Sequence, residues 1–425
     1  MNLTGRVTFA IALAFLFSCA DSGGKTGIRT KTLVLTHATV IDATGAPPQS
    51  DMTVIVKGDR ITAIEKTSQS HIPKGASVVN ARGKYLIPGL WDMHVHLDGL
   101  EPIEGAPEIL VSYGITSVRD MGGHWERLQS LRSSIHNGLR VGPSIYMAGY
   151  ILNGDQAADF HLVLKTPLEA QEAVEKLKKG GVDFIKVHNQ LSREVFTAIA
   201  SESKKAGLDF VGHVPHGISL LEATEAGMKT VEHIEVLLET ELFQKENPAQ
   251  GLKDALDRLR GENGERVFSA FVKNGTAYTP TLSGYWDFVS SAETSEAKAQ
   301  GEALFRRFIE LTGQMHKAKV TLLAGTDYRA DPGKRLHEEL AFLVQAGLAP
   351  MEALQAATSL PAQVLGVTKK VGTIEVGKQA DLVLLEGDPL EDVRNMQRIA
   401  GVVLRGRFLD KESLAGMLPA AQYSN

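Results

Sequence analysis

The chain has 425 residues with 43% hydrophobic and 22% charged side chains, a formal net charge of −5 and a single cysteine. Such values are ordinary for a soluble globular protein, and no internal repeat or low-complexity tract interrupts them. Mild acidity with scattered Lys and Arg argues against a nucleic-acid surface, and the length calls for one large domain with a smaller one beside it.

At the N-terminus, Met1 to Arg6 carries positive charge and Val7 to Phe17 is apolar. That run is too short to span a bilayer as a helix, so residues 1–18 read as a processing segment. They end in Leu16-Phe17-Ser18-Cys19, which resembles the lipobox of bacterial lipoproteins. A lone thiol in an exported protein needs a role, and the resemblance implies lipid attachment at Cys19. The competing reading is an ordinary signal peptide with a chance cysteine. Asp21 is not directly after Cys19, so inner-membrane retention is not indicated. The expectation is an exported lipoprotein on the outer membrane, facing the periplasm. Residues 19–30, rich in Gly, Ser, Lys and Thr, read as a flexible tether.

From about Lys31 to Leu86 the pattern predicts short strands: Leu33-Val34-Leu35, Val54-Ile55-Val56, Ile61 to Ile64 and Ser77-Val78-Val79. Lys57-Gly58-Asp59-Arg60 is a hairpin connection whose glycine is free to adopt positive φ. Strand and helix patterns then alternate, the signal for a parallel α/β architecture. Ile115 to Asp120 reads as its second strand. Thr166 caps a helix with Pro167 at its first position, and Gly180-Gly181 stops it. Ser219 with Glu222 forms a capping box before the next strand. Thr276 to Leu282 and Val320 to Ala324 supply two further strands, with a long helix over Glu296 to Lys319 between them. The segment Ala380 to Arg407 again reads as strands, with Asp388-Pro389 as a turn.

Chemistry collects at the ends of these apolar segments. In Trp91-Asp92-Met93-His94-Val95-His96, extended backbone sends side chains two residues apart to the same face. His94 and His96 therefore project side by side as a chelate for a metal such as zinc. Lys186, His213, His233 and Asp327 each stand near the end of a short apolar run, with 27 and then 20 residues separating the first three. That is about one strand-plus-helix unit each, and in a parallel barrel all strand C-terminal ends converge on one face.

This set resembles the amidohydrolase superfamily in its binuclear, carbamylated-lysine form. A second signature, Val371 to Leu385, resembles the strand pair after the barrel in imidazolonepropionase-like and prolidase-like members. The resemblance implies an α/β fold: a TIM-like (β/α)8 barrel over 87–367, with a small composite β-sandwich from 31–86 and 368–415. It implies two divalent ions, expected to be Zn2+. His94, His96 and Asp327 would hold the more buried ion, His213 and His233 the more exposed one, and Lys186 would bridge them as a carbamate. Burial favours the neutral amine that carbamylation needs. A lysine reaching solvent, or one binding a substrate carboxylate, is the alternative.

The implied activity is hydrolysis of an amide or peptide bond by metal-activated hydroxide, with Asp327 shuttling the proton. A dipeptide or N-acyl amino acid is the leading substrate. A cyclic-amide, lactone or phosphotriester hydrolase stays open, as does a non-catalytic binding lipoprotein of another class. Further substrate candidates are His188, Tyr150, Tyr278 and Arg329, while Asp120 and His124 lie in a loop that could shape the pocket. His216, His37, His71, His136, His316 and His337 read as surface or packing groups. The expected partners are a small-molecule or dipeptide substrate and a membrane, without nucleic acid; a homo-oligomer stays open.

Overall fold

The computed structural model describes residues 32–99, 105–244, 247–327 and 333–419. The signal segment, the tether, Cys19 and Arg329 lie outside the described residues. Among the described residues no helix is long and apolar enough to cross a membrane.

The first strands, β1 (Thr32–Val40), β2 (Gln49–Lys57) and β3 (Arg60–Lys66), form an antiparallel meander. Lys57 pairs with Arg60 across a two-residue turn in which Gly58 takes φ 64°. That conformation costs glycine little, as the sequence leads one to expect. β4 (Ser77–Asn80) and β5 (Tyr85–Pro88) then run parallel to β1.

A parallel α/β region follows. β6 (Leu90–Val95), β7 (Ile115–Asp120) and β8 (Ser144–Met147) make one parallel sheet. A second contains β9 (Ile151–Asn153), β10 (His161–Val163), β11 (Ile185–Val187), β12 (Phe210–Gly212), β13 (Thr230–Glu232) and β14 (Ala277–Thr279). Its order is β10-β9-β11-β12-β13-β14. Main-chain bonds link the two sheets. Asp183 N–H donates to Met147 O at 2.9 Å, and Met93 N–H donates to Ala324 O at 2.9 Å. Residues 321–324 in turn bond Tyr278 in both directions.

Helices between the strands start where the sequence marks them. Thr166 and Glu169 cap the helix Pro167–Lys179 reciprocally, and Ser219 and Glu222 do the same for Leu220–Glu225. Two expected strands are shorter than the pattern suggests. β14 ends at Thr279 because Pro280 has no N–H for the ladder, and Thr281 at φ 52° turns the chain into the helix Leu282–Ser290. Val320 to Ala324 makes only a single bridge, Tyr278 to Leu322. The long helix spans Ser295–Lys317, with Thr294 Oγ1 accepting from Ala297 N–H.

The last strands, β15 (Leu382–Leu385), β16 (Ile399–Leu404) and β17 (Arg407–Asp410), return to the first sheet. β15 lies antiparallel to β5, and the sheet of eight strands runs β17-β16-β15-β5-β1-β2-β3 with β4 on β1. Strands from both ends of the chain therefore share one sheet, with its own apolar cluster around Leu35, Val54, Leu86 and Leu384. β5 hands directly to β6 through Gly89.

Candidate active site

Strand alternation sets the site. In β6 and just beyond it, Met93, Val95 and Leu97 belong to apolar clusters, so Asp92, His94 and His96 turn the other way. Ile185 and Val187 pack in the main core and leave Lys186 pointing inward. Val231 does the same for Thr230 and Glu232. Short strands of this kind carry one or two polar groups each into a common interior.

His94 has no exposed surface, and its Nδ1 lies 3.0 Å from Glu232 Oε2. A carboxylate can only accept, so Nδ1 carries the proton and Nε2 keeps its lone pair. His96 is fixed in the same sense, with Nδ1–H donating to Gly122 O at 2.6 Å. The Asp327 carboxylate faces both rings: Oδ1 is 3.6 Å from His94 Nε2 and 3.4 Å from His96 Nε2. Its Oδ2 is 3.7 Å from His233 Nδ1. Asp327 itself sits at φ 51°, held by its N–H donating to His94 O at 2.7 Å.

His233 follows β13 at φ 68°, an unusual backbone for a histidine. Its N–H donates to Thr279 O, and Nδ1 meets Thr281 Oγ1 at 2.9 Å. The His233 ring lies 4.4 Å from that of His94 and 4.8 Å from that of His213. His213 stacks on His188 with centroids 4.0 Å apart. Burial, reinforced by Lys186, holds His94 and His213 far below the ordinary imidazole range. Burial also takes His233 and His188 down to about 3. These rings are neutral at physiological pH, the state in which imidazole binds metal.

Lys186 is 1% exposed. Burial pulls its amine down to about 8, against the opposing charges of Glu232 and Asp327. Gly212 makes room for it: at φ 127°, a Cβ there would stand 2.3 Å from Val187 O and 2.7 Å from Lys186 Cδ. Gly325 does likewise for the first histidine, since its Cβ would meet His94 N at 2.9 Å.

A buried polar frame supports these side chains. Arg119 donates to both oxygens of Glu232 at 2.8 Å, to Thr230 Oγ1 at 2.8 Å and to Met93 O at 2.7 Å. Asp92 accepts from the N–H groups of His94 and Thr326, each at 3.1 Å, and from Thr326 Oγ1 at 2.8 Å. Asp120 accepts from Leu97 N–H at 2.7 Å and Gly122 N–H at 3.1 Å, fixing the exit of the His94–His96 strand. Burial raises both Asp92 and Asp120 to about 7.

The chemistry of these donors fits a divalent cation. His94 Nε2 and His213 Nδ1 are buried without a hydrogen-bond partner among the described residues. One ligand atom each from His94, His233 and Asp327 lie within 4.8 Å of one another. Buried acceptors left alone cost about 1–3 kcal/mol each, and a shared cation would satisfy several together.

His96, Lys186, His213, His233 and Asp327 line one cavity of about 610 Å³. His188 lines it too. Tyr150 and Tyr278 are not among its lining residues. Tyr150 donates its hydroxyl to Glu126 Oε2 at 2.9 Å, while Tyr278 packs in the main apolar core on the other face of β14. His124 pairs with Asp98 and with Asp159 Oδ2, the latter at 3.1 Å. His216 lies against Phe243 at 4.2 Å, off the cavity wall. Sequence reasoning missed Arg119 and Glu232, although each is a charge inside an apolar strand. It also missed His161 and the wall residues Phe160, Glu235, Glu239, Tyr285 and Phe288, which line the same cavity.

A model of the amidohydrolase family matches residues 85–409. The chain is 24% identical to the ochratoxinase of Aspergillus niger, over 86% of this chain and 84% of that one. Its fold is similar to a putative prolidase from Bifidobacterium longum, with TM-score 0.71, 26% identity and coverage of 91% and 98%. A Xaa-Pro dipeptidase with bound methionine is also similar, with TM-score 0.71, 23% identity and coverage of 89% and 100%.

Proposed function

The chain belongs to the amidohydrolase family, and from that premise we propose a metal-dependent hydrolase of carbon–nitrogen bonds acting on dipeptides or N-acyl amino acids. We read its parallel strands as a TIM-like (β/α)8 barrel whose C-terminal strand ends form the site. The observation that carries the proposal is the convergence of the His96, His213 and His233 imidazoles, the buried Lys186 and the Asp327 carboxylate on one cavity, with His94 close to His233 and Asp327 behind its wall. The dipeptidase and prolidase named among the similar folds support the substrate class.

In this reading His94, His96 and Asp327 would hold one divalent ion, His213 and His233 would hold another, and Lys186 would serve both; zinc suits the imidazoles. When bound, such ions lower the pKa of water and polarise a carbonyl. The chain supplies the rest. Lys186, with its amine lowered to about 8, is often enough neutral to form an N–C bond to CO2 and, releasing one proton to solvent, become a carbamate anion. Asp327 accepts a proton on its carboxylate and returns it to the departing amine. The cavity walls orient the amide and limit water around it. Residues 1–30 would export the enzyme and tether it through Cys19 to a membrane.

The test is elemental analysis with a substrate screen. Two equivalents of metal per chain and chelator-sensitive hydrolysis of dipeptides or N-acyl amino acids are expected. Asp327→Asn is the informative variant, because asparagine tolerates the φ of 51° seen at this position. It should lose roughly 10²- to 10⁴-fold in kcat while keeping its fold. A metal-free protein, or an Asp327→Asn variant of unchanged activity, would refute the reading.

A further inference from the structure

A second hollow of about 590 Å³ adjoins the first, and Tyr285 and Phe288 line both. Its character differs. Leu252 and Leu256 enter from the helix Leu252–Arg260, while Ala297, Gln300, Gly301, Leu304 and Arg307 enter from Ser295–Lys317. Those last positions recur every three or four residues and so share one helix face. From Ala297 to Arg307 that face runs about 15 Å at the α-helical rise. Phe288, at the junction of the two hollows, is 75% exposed, and Leu252 is 40% exposed. Large apolar side chains left open beside a binding cavity mark a surface that something apolar covers.

We propose that this groove binds the extended acyl chain of an N-acyl amino acid while its amide lies in the metal-ligand cavity. The inference rests on the hydrolase reading above and narrows it. Continuity through Tyr285 and Phe288 makes the groove an extension of the reaction site. Lys253 and Arg307 also line the groove, but Leu252, Leu256, Leu304, Tyr285 and Phe288 give it a largely apolar wall, along which the carboxylate of the amino-acid half would be desolvated at a cost. The acyl half carries no charge and can run along the helix face. A small dipeptide would leave the groove and the Phe288 ring in water.

The test compares N-acetyl, N-hexanoyl and N-decanoyl derivatives of one amino acid with the full-length, metal-loaded protein. Each added methylene should raise kcat/KM by about two- to fourfold until the groove is filled. Ala297→Trp would occupy the groove, and it should lower the decanoyl-to-acetyl ratio by about tenfold or more. Phe288→Ala should move that ratio in the same direction, with circular dichroism showing both variants folded. Equal kcat/KM for acetyl and decanoyl substrates, or a folded Ala297→Trp protein with the wild-type ratio, overturns the assignment. Should no N-acyl amino acid be hydrolysed, the dipeptide screen and the metal content decide the hydrolase reading separately. Calorimetry then decides the groove: N-decanoyl amino acid that binds the wild type and not Ala297→Trp supports it, and equal or absent binding overturns it.

Discussion

His94 Nδ1 and Glu232 Oε2 lie 3.0 Å apart with neither side chain exposed, so a carboxylate from β13 decides which nitrogen a histidine on β6 turns toward Asp327. Arg119, from β7, clamps that carboxylate at 2.8 Å. Three strands are thereby locked to one imidazole, and the orientation of that ring becomes a property of the buried polar interior between the strands.

Glu232→Gln should weaken metal binding by about 10–100-fold, the usual effect of losing a group that orients a ligating histidine. It also strands the Arg119 charge, which should cost about 3–5 kcal/mol of stability. Adding Arg119→Met should recover stability without recovering metal affinity. Chelator competition and urea denaturation measure the two effects separately.

Lys186 sets a pH dependence for assembly. Its amine, lowered by burial to about 8, becomes neutral as pH rises through that value, and only the neutral amine takes up CO2. Reconstitution of metal-depleted protein should therefore speed up from pH 6 to pH 8 and with added bicarbonate. Lys186→Ala should bind less metal and respond to neither. A wild-type protein that reloads equally with and without bicarbonate would count against a carbamate.

Gly212→Ala is expected to be severe for so small a change. The added methyl would meet Val187 O at 2.3 Å and Lys186 Cδ at 2.7 Å, on a backbone at φ 127°. Strain and overpacking together should cost about 2–5 kcal/mol. Thermal denaturation should report a lower Tm, and metal content should fall because Lys186 must move.

Glu339 offers a prediction about stability alone. It is fully buried, its Oε2 accepts from Ser283 N–H at 2.7 Å, and burial raises its carboxyl from 4.5 to about 8. The folded chain holds this proton to higher pH than the unfolded chain does. Its contribution to stability is thus present below about pH 4.5 and is lost as pH rises toward 8. Glu339→Gln removes that loss, with each pKa unit worth about 1.4 kcal/mol. Urea denaturation should find the variant more stable than the wild type by a few kcal/mol at pH 8 and nearly equal at pH 4.5. A gap that does not widen with pH would contradict the assignment.

The candidate ligands were legible because each is a polar residue near the end of an apolar strand, and the period of two put His94 beside His96. The capping residues Thr166 and Ser219 fixed two helices for equally local reasons. Glu232 and Arg119 carried the same kind of signal, a charge inside an apolar run, yet their pairing spans 113 residues and no spacing rule reports it. Tyr278 misled because a strand shows its residue types but not which face turns toward the cavity. The walls from Phe160, Glu235 and Tyr285 come from loops and helices whose approach is set by packing, so local sequence holds no mark of them.

The seam between β5 and β15 joins Leu382 to Pro88 and Leu385 to Tyr85, two residues upstream of the strand that bears His94. A nonsense codon near position 380 would spare every candidate ligand in the reading frame and still remove the partner that β5 zips against. Such a truncated product would pass a search for the candidate ligands alone while lacking the brace beneath its first histidine pair.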